Sequence, residues 1–361
     1  MKIRTLKRDI CSFKEYLDGK RRIMTYGAGS WANDIKKILE EYGYQLDYAI
    51  VDAPYCAGNT FTDTWGVMTT TFEELTPSYD FKSDILIWAI GSPEKLRNCM
   101  KDDQMEMECF LLWDRGLWKE KDFYILHEKE FNEASELFCD AYSKKVFWSY
   151  IEAQKGNIHE DILYSTNGTY FNELTKDKRS GCFLDCGSYD GESAIAYMKF
   201  IGEECQVYAF EPDRDNYQKL VNRMKNRTNF ICLNKGCYSA EKMLSFESNG
   251  DMSSSIQETG DEMVEVTTID KVVGDEKVAF IKMDVEGAEL AALKGGRKVI
   301  ERDMPILAIS AYHRQEDLIT LIPYISNLHN ESERYNLYLR HHGVMATELV
   351  IYGIPTTYDL S

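Results

Sequence analysis

The sequence predicts an α/β protein made of two doubly wound domains, and three observations carry that reading. Two stretches, Arg22 to Ala32 and Phe183 to Glu192, each run from an apolar strand through a glycine turn into a helix. After each of them, apolar strands alternate with helical segments, the pattern of a mainly parallel sheet with helices on both faces. In the second half, the acids and a histidine that stand out fall at or just past strand ends, where ligands collect in such sheets. A length of 361 residues leaves room for two cores, at roughly 150 residues per domain.

Composition narrows the class further. The chain is 44% hydrophobic and 28% charged with only seven prolines, which is that of a globular protein. Lys and Arg total 42 against 60 Asp and Glu, a formal charge of −18. Such a surface repels phosphate backbones and anionic lipid, so nucleic acid is not expected as a partner. The basic start, with Lys2, Arg4, Lys7 and Arg8, is followed by Cys11-Ser12-Phe13-Lys14-Glu15 rather than an apolar run, so no signal peptide is expected. No segment reaches the roughly 20 apolar residues of a membrane span. Ten cysteines lie scattered without CxxC pairs, which suits reduced thiols in a cytoplasmic protein better than zinc or disulfides.

Residues 1–115 form the first predicted domain. Arg22-Ile23-Met24-Thr25-Tyr26 is a strand, Gly27-Ala28-Gly29-Ser30-Trp31-Ala32 a G-x-G-x-x-A turn, and Ile35, Ile38 and Leu39 mark an amphipathic helix. A second strand, Leu46 to Asp52, ends in an acid at about the twenty-residue distance of a dinucleotide fingerprint. Asp84 to Ser92 contains a fully apolar strand, as buried parallel sheets require. The Gly27–Ala32 turn and Asp52 resemble the small Rossmann-like domains attached to bacterial sugar-modifying enzymes. Nucleotide binding and a surface for homodimerisation or partner docking stand at even weight for this domain.

Residues 116–165 read as a helical connector. Phe131, Ala134, Leu137, Phe138, Ala141 and Tyr142, then Val146, Phe147, Tyr150 and Ile151, follow a helical period. Asn167-Gly168 signals a turn, and Tyr170-Phe171 are either a cap over a ligand or a core anchor, with the core favoured.

Residues 166–361 carry the chemistry. Phe183-Leu184-Asp185-Cys186-Gly187-Ser188-Tyr189-Asp190-Gly191-Glu192 gives a strand, a turn in which Gly187 and Gly191 admit close backbone approach, and a helix N-terminus. Val207 to Phe210 is the next strand, and Glu211 at its end suits the paired hydroxyls of a ribose. The D-x-G-x-x-x-G spacing is looser than a dinucleotide turn. It points to a nucleoside without a pyrophosphate, and so to S-adenosylmethionine (SAM) ahead of NAD. Strands follow at Asn229–Leu233, Met243–Phe246 and Val264–Thr268, the last two flanking a polar loop from Ser248 to Gly260. Val278–Asp284, Pro305–Ala311, Tyr335–Arg340 and Glu348–Tyr352 complete the series.

Taken with Phe210-Glu211-Pro212, Thr268-Ile269-Asp270 and Ile281-Lys282-Met283-Asp284-Val285-Glu286-Gly287-Ala288-Glu289, the glycine run resembles the FkbM family of SAM-dependent methyltransferases, over residues from about 165 to 355. The resemblance implies a class I methyltransferase fold, a seven-stranded sheet with an antiparallel last strand, and O-methylation of sugar or natural-product hydroxyls. SAM would be held by Asp185, Gly187, Ser188, Gly191, Glu211 and Asp284, with Gly236 and Cys237 edging its adenine. Methyl transfer to a hydroxyl also needs a proton acceptor. His313, in Ala311-Tyr312-His313-Arg314, ranks first as base and Asp284 second, with Glu286 orienting the acceptor. Asp284 with Glu286 also matches a Mg²⁺-holding pair, but no third oxygen ligand is evident and no metal is expected.

The expected function is therefore a SAM-dependent O-methyltransferase acting on a sugar hydroxyl of a glycan or nucleotide-linked sugar. The alternative is a non-catalytic scaffold of glycan biosynthesis with a vestigial transferase domain. An NAD-dependent oxidoreductase would need a hydride-handling site in the first domain, where the only histidines before the second half, His127 and His159, lie in the connector.

Overall fold

The structure is a computed structural model that describes residues 2–6, 17–52, 63–64, 66–80, 83–90, 95, 108–112, 121–155, 165, 168–177, 179–202, 204–247, 255–256, 262–343 and 346–357. Gly91-Ser92, Asn167 and the polar loop at 248–254 and 257–260 lie outside the described residues. Two compact units emerge. One holds residues 1–121, 149–166 and 343–346, and the other holds 122–148, 167–342 and 347–361.

In the first unit the strands are β1 (Lys2–Leu6), β2 (Arg22–Tyr26), β3 (Tyr48–Ile50), β4 (Asp63–Thr64), β5 (Val67–Thr70), β6 (Asp84–Trp88) and β7 (Glu108–Leu112). They form one sheet in the order β1-β7-β6-β2-β3-β5-β4, parallel throughout except for β4. Every residue of β6 is buried, which is why that strand reads as a continuous apolar run after Asp84. Helix α1 (Ser30–Glu41) buries Trp31, Ile35 and Leu39, one face at helical spacing. Gly27 has φ +116°, and a Cβ there would stand 2.4 Å from the carbonyl oxygen of Ala89. This glycine is thus required by the crossing of two strand ends. Asp52 is already engaged, accepting from the Tyr26 hydroxyl at 2.9 Å and pairing with Lys95.

The predicted connector helix is three helices, α2 (Lys121–Leu126), α3 (Glu128–Glu136) and α4 (Ala141–Gln154). Phe131, Ala134, Val146 and Phe147 of that apolar series are fully buried, while Leu137 and Tyr142 are exposed.

The second unit is built on β8 (Cys182–Cys186), α5 (Glu192–Ile201), β9 (Val207–Phe210), α6 (Arg214–Met224), β10 (Phe230–Leu233), β15 (Val278–Met283), α8 (Glu289–Gly295), α9 (Arg297–Asp303), β16 (Ile306–Ser310), α10 (Asp317–Ser326), β17 (Glu333–His341) and β18 (Leu349–Thr357). Between β10 and β15 come β11 (Gly236–Cys237), β12 (Lys242–Glu247), β13 (Ser255–Ile256), β14 (Glu262–Thr267) and α7 (Ile269–Val273). The main sheet runs β10-β9-β8-β15-β16-β18-β17. Its first five strands are parallel, and β18, the last in the chain, inserts antiparallel between β16 and β17. A small sheet, β11-β14-β12-β13, gathers the strands around the polar loop.

This order places the chain reversal between β8 and β15, so their carboxyl ends open a crevice. Aromatic side chains pack together against the sheet. Phe183 stacks on Tyr197 at 4.3 Å between ring centroids, and Phe171 joins Phe280 at 5.6 Å. Such pairs add about 0.5–1.5 kcal/mol each beyond simple burial.

Candidate active site

The glycine turn after β8 is shaped by the protein itself. Gly187 has φ +79°, and a Cβ on it would lie 1.8 Å from the carbonyl oxygen of Asp284. Gly191 has φ +84°, and its Cβ would meet the Met224 side chain at 2.5 Å and Leu220 at 2.8 Å. Close approach to a ligand was the expected reason for both glycines. The immediate reason is different: Gly187 lets the turn cross the end of β15, and Gly191 seats α5 against α6. The backbone N–H groups of Gly187 and Ser188 donate to the Phe210 carbonyl, and Ser188 Oγ donates back to the Asp185 carbonyl at 2.7 Å.

A cavity of about 870 Å³ opens over these strand ends. Gly187, Ser188, Glu211, Gly236, Cys237, Asp284 and Glu286 all line it, so most of the predicted site residues meet around one cavity. Glu211 is 6% exposed. Its two carboxylate oxygens accept from the backbone N–H groups of Tyr189 (2.7 Å) and Asp213 (2.9 Å). Burial pushes its carboxyl up to about 7, against the pull of those two donors.

Asp185, Gly191 and His313 are not among the residues that line the cavity. Asp185 is fully buried behind it, with Oδ2 accepting from Ser193 Oγ at 2.5 Å and Oδ1 3.4 Å from the Lys282 ammonium. Asp185, expected to help hold SAM, thus already has an internal cation. Lys282, absent from the predicted set although it sits in the quoted motif, donates to the Gly187 carbonyl at 2.5 Å and lies over the Tyr170 ring. Burial would strip its proton, but Asp185 and then Asp284 outweigh that and raise it.

At the other end of the motif, Asp284 is surrounded by donors. The Tyr170 hydroxyl donates to Oδ2 at 3.0 Å and the Tyr312 hydroxyl to Oδ1 at 3.4 Å. Burial alone would raise the Asp284 carboxyl, yet His313, Lys282 and hydrogen bonds from Tyr170 and Ser310 hold it below the usual range. Tyr170 and Phe171 both pack against the core and both line the cavity, and Tyr170 in addition presents its hydroxyl to Asp284. Asn172 fixes that segment through the Tyr352 hydroxyl at 3.1 Å.

His313 has a side chain only 6% exposed. Its Nδ1 lies 2.9 Å from Glu289, and its Nε2 lies 3.3 Å from both Asp284 Oδ1 and Glu286 Oε2. Burial would lower it, but Glu289 first, then Asp284 and Glu286, hold it up at about 10. This corrects the first-ranked base. A histidine behind the cavity wall, facing three carboxylates, keeps its proton and has no open path to an acceptor hydroxyl. Glu286, pushed up to about 7 by burial and by its acidic neighbours against His313, is the more open carboxylate of the wall, 28% exposed. In place of a third oxygen ligand, His313 brings a ring nitrogen within 4.8 Å of the ligand atoms of Asp284 and Glu286.

Residues 185–343 match the family model described as the Methyltransferase FkbM domain. This stretch is an FkbM methyltransferase domain. Its limits take in the glycine turn, Glu211, the Asp284 motif and His313, which are the residues gathered at the crevice. A crystal structure titled as the methyltransferase FkbM from Methylobacillus flagellatus KT superposes with a TM-score of 0.67 at 20% identity, covering 97% of this chain and 94% of that one. At that identity the likeness speaks for the fold alone. No curated protein matches the sequence. Among the described residues, no helix is long and apolar enough to cross a membrane.

Proposed function

We propose that the FkbM domain is a SAM-dependent O-methyltransferase whose acceptor is a sugar hydroxyl, on a glycan or a nucleotide-linked sugar. The observation that carries this reading is the shared cavity: its lining includes both a ribose-type carboxylate, Glu211, and an acidic pair, Asp284 and Glu286, suited to a hydroxyl.

The residues fit the cofactor. Each Glu211 oxygen accepts one backbone N–H and keeps a lone pair for a ribose hydroxyl. Gly187 and Ser188 bring backbone to the cavity, and Gly236 with Cys237 gives a small-residue edge for the adenine. Bound SAM would supply a methyl carbon already activated by a sulfonium. The chain's own part is alignment and proton removal. Asp284, locked by Tyr170 and Tyr312, orients the acceptor hydroxyl. Glu286, the more open of the two carboxylates, would take the proton that the acceptor hydroxyl loses. Lys282, at the cavity surface, and Asp185, buried behind it, hold the turn in register.

In this reading residues 166–361 do the chemistry. Residues 1–115 recruit an acceptor or a partner, because Asp52 is already committed to Tyr26 and Lys95 rather than to a nucleotide ribose.

Titration calorimetry of the full chain with SAM is the test. Saturable binding is expected, weakened at least ~10-fold in Glu211→Ala, since hydrogen bonds to a charged group contribute about 1.5–3 kcal/mol. Absence of heat at millimolar SAM would sink the reading. Transfer itself is read by mass spectrometry as a methyl gain on sugar acceptors, with Glu286→Gln slowed while still binding SAM.

A further inference from the structure

We propose that Asp284, Glu286 and His313 form a site for a hard divalent cation, Mn²⁺ or Mg²⁺, on the wall of the methyltransferase cavity. The inference rests on the proposed methyl transfer only for the cation's purpose, and its geometry stands by itself.

The first observation is spacing. His313 Nε2 is 3.3 Å from Asp284 Oδ1 and 3.3 Å from Glu286 Oε2. Two adjacent ligand atoms on a cation, each about 2.1–2.3 Å from it, stand roughly 3.0–3.3 Å apart. The three donor atoms all lie within 4.8 Å of one another, which leaves room for an ion between them.

The second observation is the histidine itself. Its side chain is 94% buried, yet Nε2 makes no hydrogen bond. Nε2 is equidistant from the two oxygens, so a cation bound there would displace the proton that the carboxylates otherwise hold on the ring and take its place between the three atoms.

The surroundings match what ligands need. Tyr170 and Tyr312 hydroxyls fix the Asp284 carboxylate, and Glu289 sits 2.9 Å from the far ring nitrogen, the place of a carboxylate that orients a ligating histidine. A rival trio, Glu289, His313 and Asp317, shares that far nitrogen. Glu289 and Asp317 are 1% and 4% exposed, and Asp317 already accepts from the Arg314 backbone, so that side offers no entry. Asp284 and Glu286 line the cavity, and the remaining positions on the ion would face it. Two carboxylates with one imidazole favour Mn²⁺ over Mg²⁺. An ion there would hold the acceptor oxygen and make its proton easier to lose, with the second oxygen of Glu286 left to take that proton.

The test is Mn²⁺ binding to the full chain, followed by the loss of the free-ion electron paramagnetic resonance signal, without SAM or acceptor. One saturable site is expected. It should weaken at least tenfold in Asp284→Asn and in Glu286→Gln, and stay unchanged in the surface control Glu301→Gln. Pulsed resonance on the bound ion in the unmodified protein should show coupling to an imidazole nitrogen, a readout that needs no variant. No saturable binding up to millimolar Mn²⁺, no nitrogen coupling, or a site that survives both substitutions would each overturn the proposal. SAM binding without Mn²⁺ binding removes the cation site alone. Mn²⁺ binding without SAM binding removes the methyltransfer reading and leaves the site.

Discussion

At the scale of the residue, Lys282 is the group on which the polar wall depends. Its ammonium, 5% exposed, meets Asp185 at 3.4 Å and the Gly187 carbonyl at 2.5 Å, and Asp284 adds to the field that keeps it charged. Removing one partner of a buried pair leaves the other charge without compensation, which costs about 3–5 kcal/mol. Lys282→Met is therefore expected to destabilise the second unit by that amount, measured by hydrogen exchange of the β8 and β15 amides. Adding Asp185→Asn should recover most of the loss, because the orphaned charge goes with it. A single variant within about 1 kcal/mol of the parent would mean that the pair is incidental.

At the scale of the element, the same logic governs the start of β6. Asp84, 3% exposed, accepts from Arg21 and Arg22 and from the Asp80 backbone, and these donors outweigh burial to bring its carboxyl down to about 2. A carboxyl lowered from 3.8 to about 2 stabilises the fold fully above its unfolded value, and that contribution fades as pH falls from near 4 toward 2. The shift corresponds to about 2 kcal/mol. Protection of the β2 and β6 amides should show a gap between the parent and Asp84→Asn at pH 6 that closes by about pH 2. A gap independent of pH would place the clamp's value elsewhere.

Elements of this kind were legible because their pattern is local. Apolar runs such as Asp84–Trp88 and Val278–Met283, each ending at a polar residue or turn, announce buried parallel strands, and the Asp284–Glu289 motif announces the crevice. What the sequence hid depends on which side chains meet across strands. Nothing local tells that Gly187 is a glycine because Asp284's carbonyl passes it, or that Lys282 claims Asp185. The role of His313 was misjudged for the same reason. Its ionisation is set by Glu289, Asp284 and Glu286, which reach it from a helix and a loop well away in the chain.

At the scale of the whole molecule, the charge of −18 acts on ligands that differ in charge. SAM carries a sulfonium that its demethylated product lacks, so the donor has one more positive charge than the product. An acidic protein attracts the donor through its long-range field and is nearly indifferent to the product. That field is screened as ionic strength rises, with the Debye length falling from about 10 Å at 0.1 M to about 3 Å at 1 M. Raising salt from about 0.05 to 0.5 M should thus weaken SAM roughly threefold while leaving S-adenosylhomocysteine unchanged. Calorimetric titration of both ligands across that range decides it. If both affinities shift alike, the preference for donor over product comes from contacts inside the cavity, with Asp284 and Glu286 as the nearest candidates. If only SAM responds, the acidity of the whole chain favours exchanging spent product for fresh donor, and the −18 charge serves the reaction rather than solubility alone.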